Sequence, residues 1–224
     1  MLFNRKCLAA FTRSAKWTAV LAIVFMLQRY AVFVYPAAAQ EQVLLEERFE
    51  NGLQPGWHWL RGNPACRQYL QDALEIIAEP FSGNQARNVL FRPVDFLNQG
   101  TVEVDTKLTF VDKPSNQYQQ GGIYWTRSNE VVFKLVYVCI DGKLYVFPGK
   151  YPIESDTINL RLIFNEGNII AEYCNEGENT YRRIYEGKLE AGGDGNEIGL
   201  QCWNGPHTPC RVLFHHFRIV RLAD

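Results

Sequence analysis

Val102-Glu103-Val104-Asp105-Thr106-Lys107-Leu108-Thr109-Phe110 alternates with a period of two. Val102, Val104, Leu108 and Phe110 share one side, and Glu103, Asp105, Lys107 and Thr109 the other. A strand patterned this way belongs to an antiparallel sheet with one face on a core and one toward water. Outward from it, similar short segments recur between turn residues. Val43–Phe49, Trp57–Trp59, Leu74–Ala78 and Val89–Phe91 precede it. Gly122–Arg127, Val131–Ile140, Lys143–Phe147, Ile158–Phe164, Asn168–Cys174, Tyr181–Glu186, Ile198–Trp203 and Val212–Val220 follow it. Asp141-Gly142 is the strongest hairpin signal, because both residues tolerate the positive φ of a tight two-residue turn. About thirteen strands at this spacing predict a single all-β antiparallel sandwich over residues 41–224.

The chain has 224 residues, 47% hydrophobic and 21% charged, with a formal net charge of −1. That balance argues against disorder and against a nucleic-acid footprint. Residues 1–39 differ from the rest. Arg5, Lys6, Arg13 and Lys16 open a segment with no acidic residue before Glu41, and Trp17–Leu27 is an apolar run too short for the ~20 residues a bilayer requires. Ala37-Ala38-Ala39 supplies a small-residue cleavage pattern, so this segment reads as a signal peptide. The rival is an uncleaved anchor over residues 17–35, which would carry Arg29 inside the membrane at a cost of several kcal/mol. Both place the folded part in an extracytoplasmic compartment, secreted or periplasmic, with membrane contact only through an uncleaved segment.

Five cysteines follow the targeting segment: Cys66, Cys139, Cys174, Cys202 and Cys210. An odd number leaves one free or paired between chains. Cys202 and Cys210 bracket a turn-rich loop and are the candidate disulfide. The cysteines and histidines lack the spacing of a zinc site. His215 and His216 are adjacent in a strand, so alternation sends them to opposite faces. A hydrolase of the Glu-x-Asp-x-x-Glu type is also disfavoured. Glu103 and Asp105 begin that motif, but Leu108 stands where its second glutamate belongs, which leaves Glu103 and Asp105 on a solvated face. No catalytic residue is assigned.

The candidate binding residues lie in Tyr118-Gln119-Gln120-Gly121-Gly122-Ile123-Tyr124-Trp125-Thr126-Arg127 and the next strand. Paired glycines permit close approach of another backbone or a ligand. Aromatic rings beside amide and cationic groups suit a ring-shaped polar ligand. Tyr118, Gln119, Gln120, Tyr124, Trp125, Arg127 and Lys134 form the set. Tyr124 is the outward aromatic by default; Trp125 faces out only if Gly121-Gly122 is a bulge that shifts the phase. Trp57 and Trp59 share a face and fill the sandwich, Trp203 suits either side, and Tyr145, Phe147 and Tyr151 form a second aromatic group.

In order, the chain presents Phe-x-Asn-Gly-Leu, Gly-Trp-x-Trp, Val-Leu-Phe-Arg, Tyr-Gln-Gln-Gly-Gly-Ile-Tyr, Val-Phe-Lys-Leu, Asn-Leu-Arg-Leu-Ile, Ile-Gly-Leu and a terminal Phe-x-x-Phe-Arg-Ile. This series resembles the DUF1349-like group of concanavalin A-like jelly rolls, similar to the lectin-like domain appended to family 43 β-xylosidases. The resemblance implies two facing sheets with a groove on one, and binding of a glycan or polysaccharide. Relatives tend to carry an acidic pair where this chain has His215-His216. Calcium enters only by that analogy, with Asp194 its one hint; no other cofactor is expected. The expectation is a secreted, non-catalytic carbohydrate-binding domain. The alternatives are a glycoside hydrolase or lyase with an unrecognised active site, and an envelope protein-interaction domain. The mature exported protein should begin at Gln40, read by intact mass; a retained Met1 would favour the anchor.

Overall fold

The computed structural model describes residues 41–80, 86–95, 97, 99–188, 195–203 and 209–223. The segment 1–39, the calcium hint Asp194 and His207 lie outside the described residues. The strands form two antiparallel sheets. One has the order β13 (Arg182–Lys188), β12 (Asn168–Asn175), β11 (Thr157–Asn165), β6 (Val102–Phe110), β15 (Cys210–Arg221), β4 (Leu74–Ala78), β3 (Arg67–Tyr69), with β1 (Gln42–Glu47) also paired to β15. The other runs β10 (Tyr151–Ile153), β9 (Lys143–Phe147), β8 (Glu130–Ile140), β7 (Gln120–Arg127), β14 (Asn196–Trp203), β5 (Val89–Pro93), β2 (His58–Leu60). The fold is the all-β sandwich that the alternation of residues 102–110 predicts. Two short strands, β3 and β10, escaped that reading. Asp141 and Gly142 sit at φ +51° and +71°, as a tight hairpin turn requires.

The inward faces meet in one core that includes Phe49, Leu108, Phe110, Ile123, Tyr137, Phe164, Phe214 and Phe217. Each large apolar side chain removed from water contributes about 1.5–3 kcal/mol. Trp57 packs edge-on to Phe217 at 5.1 Å, and both Trp57 and Trp59 lie against this core. On β7, Ile123 and Trp125 point inward, and Trp125 meets Phe164 of the opposite sheet edge-on at 5.6 Å. The Gly121-Gly122 pairing is regular against both neighbouring strands, so the phase does not shift there. The bulge lies on β8 instead: Trp125 opposes Phe133 and Thr126 opposes Val131, which makes Val132 the extra residue.

The outer face of the eight-stranded sheet is less solvated than alternation implies. Arg161 bridges Glu103 at 3.2 Å and Glu172 at 2.5 Å, with its guanidinium 3.7 Å above the Tyr181 ring. Burial raises the Glu103 carboxyl despite Arg161 beside it. On β15, Phe214 opposes Leu108 and His216 opposes Lys107, leaving His215 unpaired in a bulge. Phe214 and Phe217 therefore both reach the core, while both histidines reach the outer face. This corrects the expectation of opposite faces, since one extra residue breaks the period of two. His216 Nε2 lies 2.6 Å from Asp105 Oδ1, and His215 Nε2 lies 2.9 Å from Thr109 Oγ1.

The expected Cys202–Cys210 bridge is absent: both are buried free thiols. They belong to β14 and β15, which lie in different sheets rather than in one hairpin. Burial raises both thiols, Cys210 to about 12.

Both the close backbone approaches and the part-buried His215 have consequences for unfolding. A Cβ at Gly122 would stand 2.2 Å from Leu135 O, and one at Gly199 1.9 Å from Leu90 O, so both positions need the neighbouring backbone to move. Gly122→Ala and Gly199→Ala should each cost about 1–3 kcal/mol in urea unfolding. Gly121→Ala should cost less, because its Cβ would meet only the Val212 methyls at 3.1 Å and 3.2 Å. Equal losses at all three would refute the close-approach argument. Second, burial chiefly, with Lys107 adding, holds the His215 pKa below its usual 6.5. The unfolded chain then takes up the proton first, so this group's contribution to stability falls as pH drops below about 6.5. His215→Gln should flatten that part of the decline in the urea midpoint between about pH 7 and 5; an unchanged slope would remove His215 from the account.

Candidate functional site

Because Trp125 is inside, the other side of β7 is committed outward. Gln120, Tyr124 and Thr126 line a groove of 610 Å³ on the outer face of the seven-stranded sheet. Beneath it lies a second apolar cluster of Val89, Phe91, Tyr124, Val136 and Val138. Tyr124 is the outward aromatic, yet it is a floor rather than a platform, being 4% exposed. Its Oη donates to Gln120 Oε1 at 3.2 Å, and burial raises the phenol far above its ordinary pKa. The exposed ring is Tyr118, 51% accessible at φ +65°, with the half-buried Trp203 at 6.5 Å between ring centroids. Both line the groove, together with Gln201, Asn129 and Lys134.

The turn before β7 explains why Tyr118 is so placed. Gln119 Oε1 accepts from the backbone N–H of Ser115 at 2.9 Å and of Asn116 at 3.0 Å. The main chain is pinned to β8 by Tyr118 N–H donating to Cys139 O at 2.8 Å. Gln119 is thus a buried turn brace and not a groove residue. Lys134 opposes Tyr124 on β8, with its ammonium 5.3 Å from the Phe147 ring centroid. Burial lowers its pKa. A smaller, more enclosed extension of 200 Å³ shares Tyr118, Gln120 and Lys134 and continues over Val136, Ile140, Phe147 and Lys150. Thr126 Oγ1 is buried and without a hydrogen-bond partner.

Of the seven sequence candidates, Tyr118, Gln120, Tyr124 and Lys134 meet in this groove. Trp125 does not: it is 3% exposed in the core, and its Nε1 donates to Asn196 Oδ1 at 3.1 Å. Arg127 shares that inward phase and donates to the same oxygen at 3.2 Å. Phe147, from the second aromatic group, lines the extension, while Tyr151 packs near Tyr173 at 6.3 Å. Gln201 and Arg61 were missed. Gln201 lies on the outward phase between Leu200 and Cys202, but only the pairing of Gln201 with Gly122 brings it to the groove. Arg61, at φ +50°, is held by its Nε donating to Ala86 O at 2.7 Å.

A second hollow, of 580 Å³, lies on the outer face of the other sheet among Glu46, Glu50, Asp72, Asp105, His215, His216 and two arginines. Asp105 Oδ2 there is buried without a partner. Among the described residues no three His, Cys, Asp or Glu side chains are grouped to hold a metal ion. No helix among them is long and apolar enough to cross a membrane.

No protein-family model matches the chain, and no curated protein does. Solved structures do. The GH43 protein BlXynB from Bacillus licheniformis aligns with a TM-score of 0.63 at 16% identity, over 79% of this chain and 39% of that one. The CBM2 module of the evolved Dit of Lactobacillus casei BL23 phage J-1 gives 0.56 at 8% identity, covering 83% and 97%. An alginate lyase from Corynebacterium sp. gives 0.51 at 13%, covering 70% and 81%. The match thus spans about two fifths of the GH43 protein's length. At such identities the likeness is one of fold: two antiparallel sheets in the concanavalin A-like arrangement.

Proposed function

We propose that this chain is an exported, non-catalytic carbohydrate-binding domain, similar to the DUF1349-like group, that holds a glycan in the groove over the seven-stranded sheet. The observation that carries this reading is the pairing of an exposed Tyr118 with Trp203 at 6.5 Å above a floor of Gln120, Gln201, Tyr124 and Thr126. Pyranose rings have apolar faces that lie on aromatic side chains and hydroxyls that need fixed donors and acceptors. The groove offers both. The fold likeness to a GH43 protein and an alginate lyase supports a carbohydrate ligand. Binding without catalysis is favoured because no carboxylate among the described residues lines this groove, whereas glycosidic cleavage usually needs two.

A second reading, hydrolysis or elimination on a polysaccharide, draws on the polar hollow of the other sheet, where Asp105 and His216 are 2.6 Å apart beside Glu46 and Asp72. A Glu or Asp pair and an oriented imidazole are the groups general acid–base chemistry uses.

The test is a glycan array followed by titration calorimetry with the best oligosaccharide. Tyr118→Ala and Trp203→Ala should each weaken binding about tenfold, equivalent to about 1.4 kcal/mol. Trp125→Phe should leave affinity within about twofold, since its ring is inside. Absence of binding to every glycan would reject the proposal, and release of new reducing or unsaturated ends, lost in His216→Ala, would establish the second reading.

A further inference from the structure

The charges of this chain are sorted between its faces. Lys and Arg together number 23 against 24 Asp and Glu, so the whole molecule is near neutrality. On the eight-stranded sheet the carboxylates meet cations: Glu103 and Glu172 with Arg161, Glu75 with Arg211 at 2.6 Å, and Glu176 with Lys107 at 2.9 Å. The groove on the opposite sheet differs. Its described lining contains Arg61 and Lys134, its extension adds Lys150, and neither contains an aspartate or glutamate. Two acids stand at its edge: Glu197, opposite Thr126 on β14, is 3.1 Å from His58 Nε2, and Glu130, at the start of β8, opposes Arg127.

Lys134 is the informative member. Its side chain lies partly buried beside the Phe147 ring, and its lowered pKa has burial as the cause, with no carboxylate offsetting it. Desolvating a cation without a counter-charge is unfavourable, and proteins usually supply a partner. Here none is supplied from within the described residues, and the ammonium lines both parts of the groove. Thr126 Oγ1 adds a second unmet polar atom, on a residue 2% exposed that also lines the groove.

We propose that the ligand of this groove is an anionic polysaccharide, with sugar-borne carboxylate or sulfate groups placed against Lys134 and Arg61 and ring faces on Tyr118 and Trp203. This deepens the glycan-binding reading and rests on it. A charged side chain meeting an anionic oxygen makes a shorter and stronger hydrogen bond than a neutral pair. Between exposed groups such contacts are screened by salt, over about 8 Å at physiological ionic strength. Salt dependence therefore belongs to the proposal, whereas ring stacking alone carries none.

The experiment uses the whole exported protein, titrated with matched oligosaccharides: oligogalacturonate, the same oligomer after carboxyl reduction to the neutral alcohol, a sulfated galactan oligomer, and neutral xylo-oligosaccharide. The carboxylated or sulfated ligand should bind at least about tenfold tighter than the neutral ones and weaken as salt rises from about 50 to 500 mM. Lys134→Met retains an unbranched stem against Phe147 and should lower anionic affinity about tenfold, a difference of about 1.4 kcal/mol, and shrink the preference for the charged over the reduced oligomer. Arg61→Gln, at an exposed position, is the second variant and should act in the same direction. Preference for oligogalacturonate identifies carboxylate as the anion, and preference for the galactan identifies sulfate. Equal, salt-insensitive binding of the reduced and unreduced oligomers, or anionic binding untouched by both variants, would overturn the inference and leave the glycan reading standing. No binding to any of the four would overturn the inference, and the glycan reading falls with it only when the full array is also empty.

Discussion

Trp125 can be satisfied only inside the sandwich, and the pleat of β7 turns that single requirement into the architecture of the groove. Its ring stands edge-on to Phe164 across the core, and its one polar atom is met by Asn196. Since side chains alternate along a strand, fixing Ile123 and Trp125 inward fixes Gln120, Gly122, Tyr124 and Thr126 outward. A slip of one residue would bury Gln120 and Thr126 between the sheets and expose the indole. Neither change is tolerable. The strand that closes the core therefore also lays the floor of the candidate site.

Two bulges then place side chains where a period of two would not. On β8 the extra residue is Val132, which leaves Val131 and Lys134 both lining the groove, three positions apart. On β15 the extra residue is His215, which lets Phe214 and Phe217 both stay in the core while two imidazoles gather on the far face. Bulges recur where a sheet must re-aim side chains without losing its ladder. These two of the four register irregularities among the described strands lie beside a hollow, one on either outer face.

What the sequence made legible was the local part of this arrangement. The alternation in residues 102–110 and 122–127 and the Asp141-Gly142 turn follow from short-range sterics, so sandwich, hairpin and the phase of Tyr124 against Trp125 were all readable. The bulges were not, because neither His215 nor Val132 differs in composition from an ordinary strand residue. Nor was the pairing of β7 with β14. Trp203 reaches Gln120 across more than eighty residues of chain, and that register alone brings Trp203 and Gln201 beside Tyr118. Gln119 misled for a related reason: an amide in a turn readily caps its own backbone, as it does on Ser115 and Asn116. Cys202 and Cys210 misled because closeness in sequence across a loop suggested one hairpin, whereas the chain changes sheets there.

The floor of the groove is also stiff, and that bears on how it can bind. Backbones approach so closely at Gly122 and Gly199 that no Cβ fits, and Gly199 lies directly opposite Tyr124. Tyr124 in turn holds Gln120 through a hydrogen bond of 3.2 Å between two largely buried side chains. Binding a polymer normally loses affinity to the ordering of side chains, about 0.5–1.5 kcal/mol for each one immobilised. Here the amide and phenol are ordered before any ligand arrives, so that loss is confined to the rim, to Tyr118, Trp203 and the lysine and arginine stems. Most of the adjustment to a ligand then falls on the residues that set affinity, while the strands beneath set the spacing at which its rings and charges must be presented.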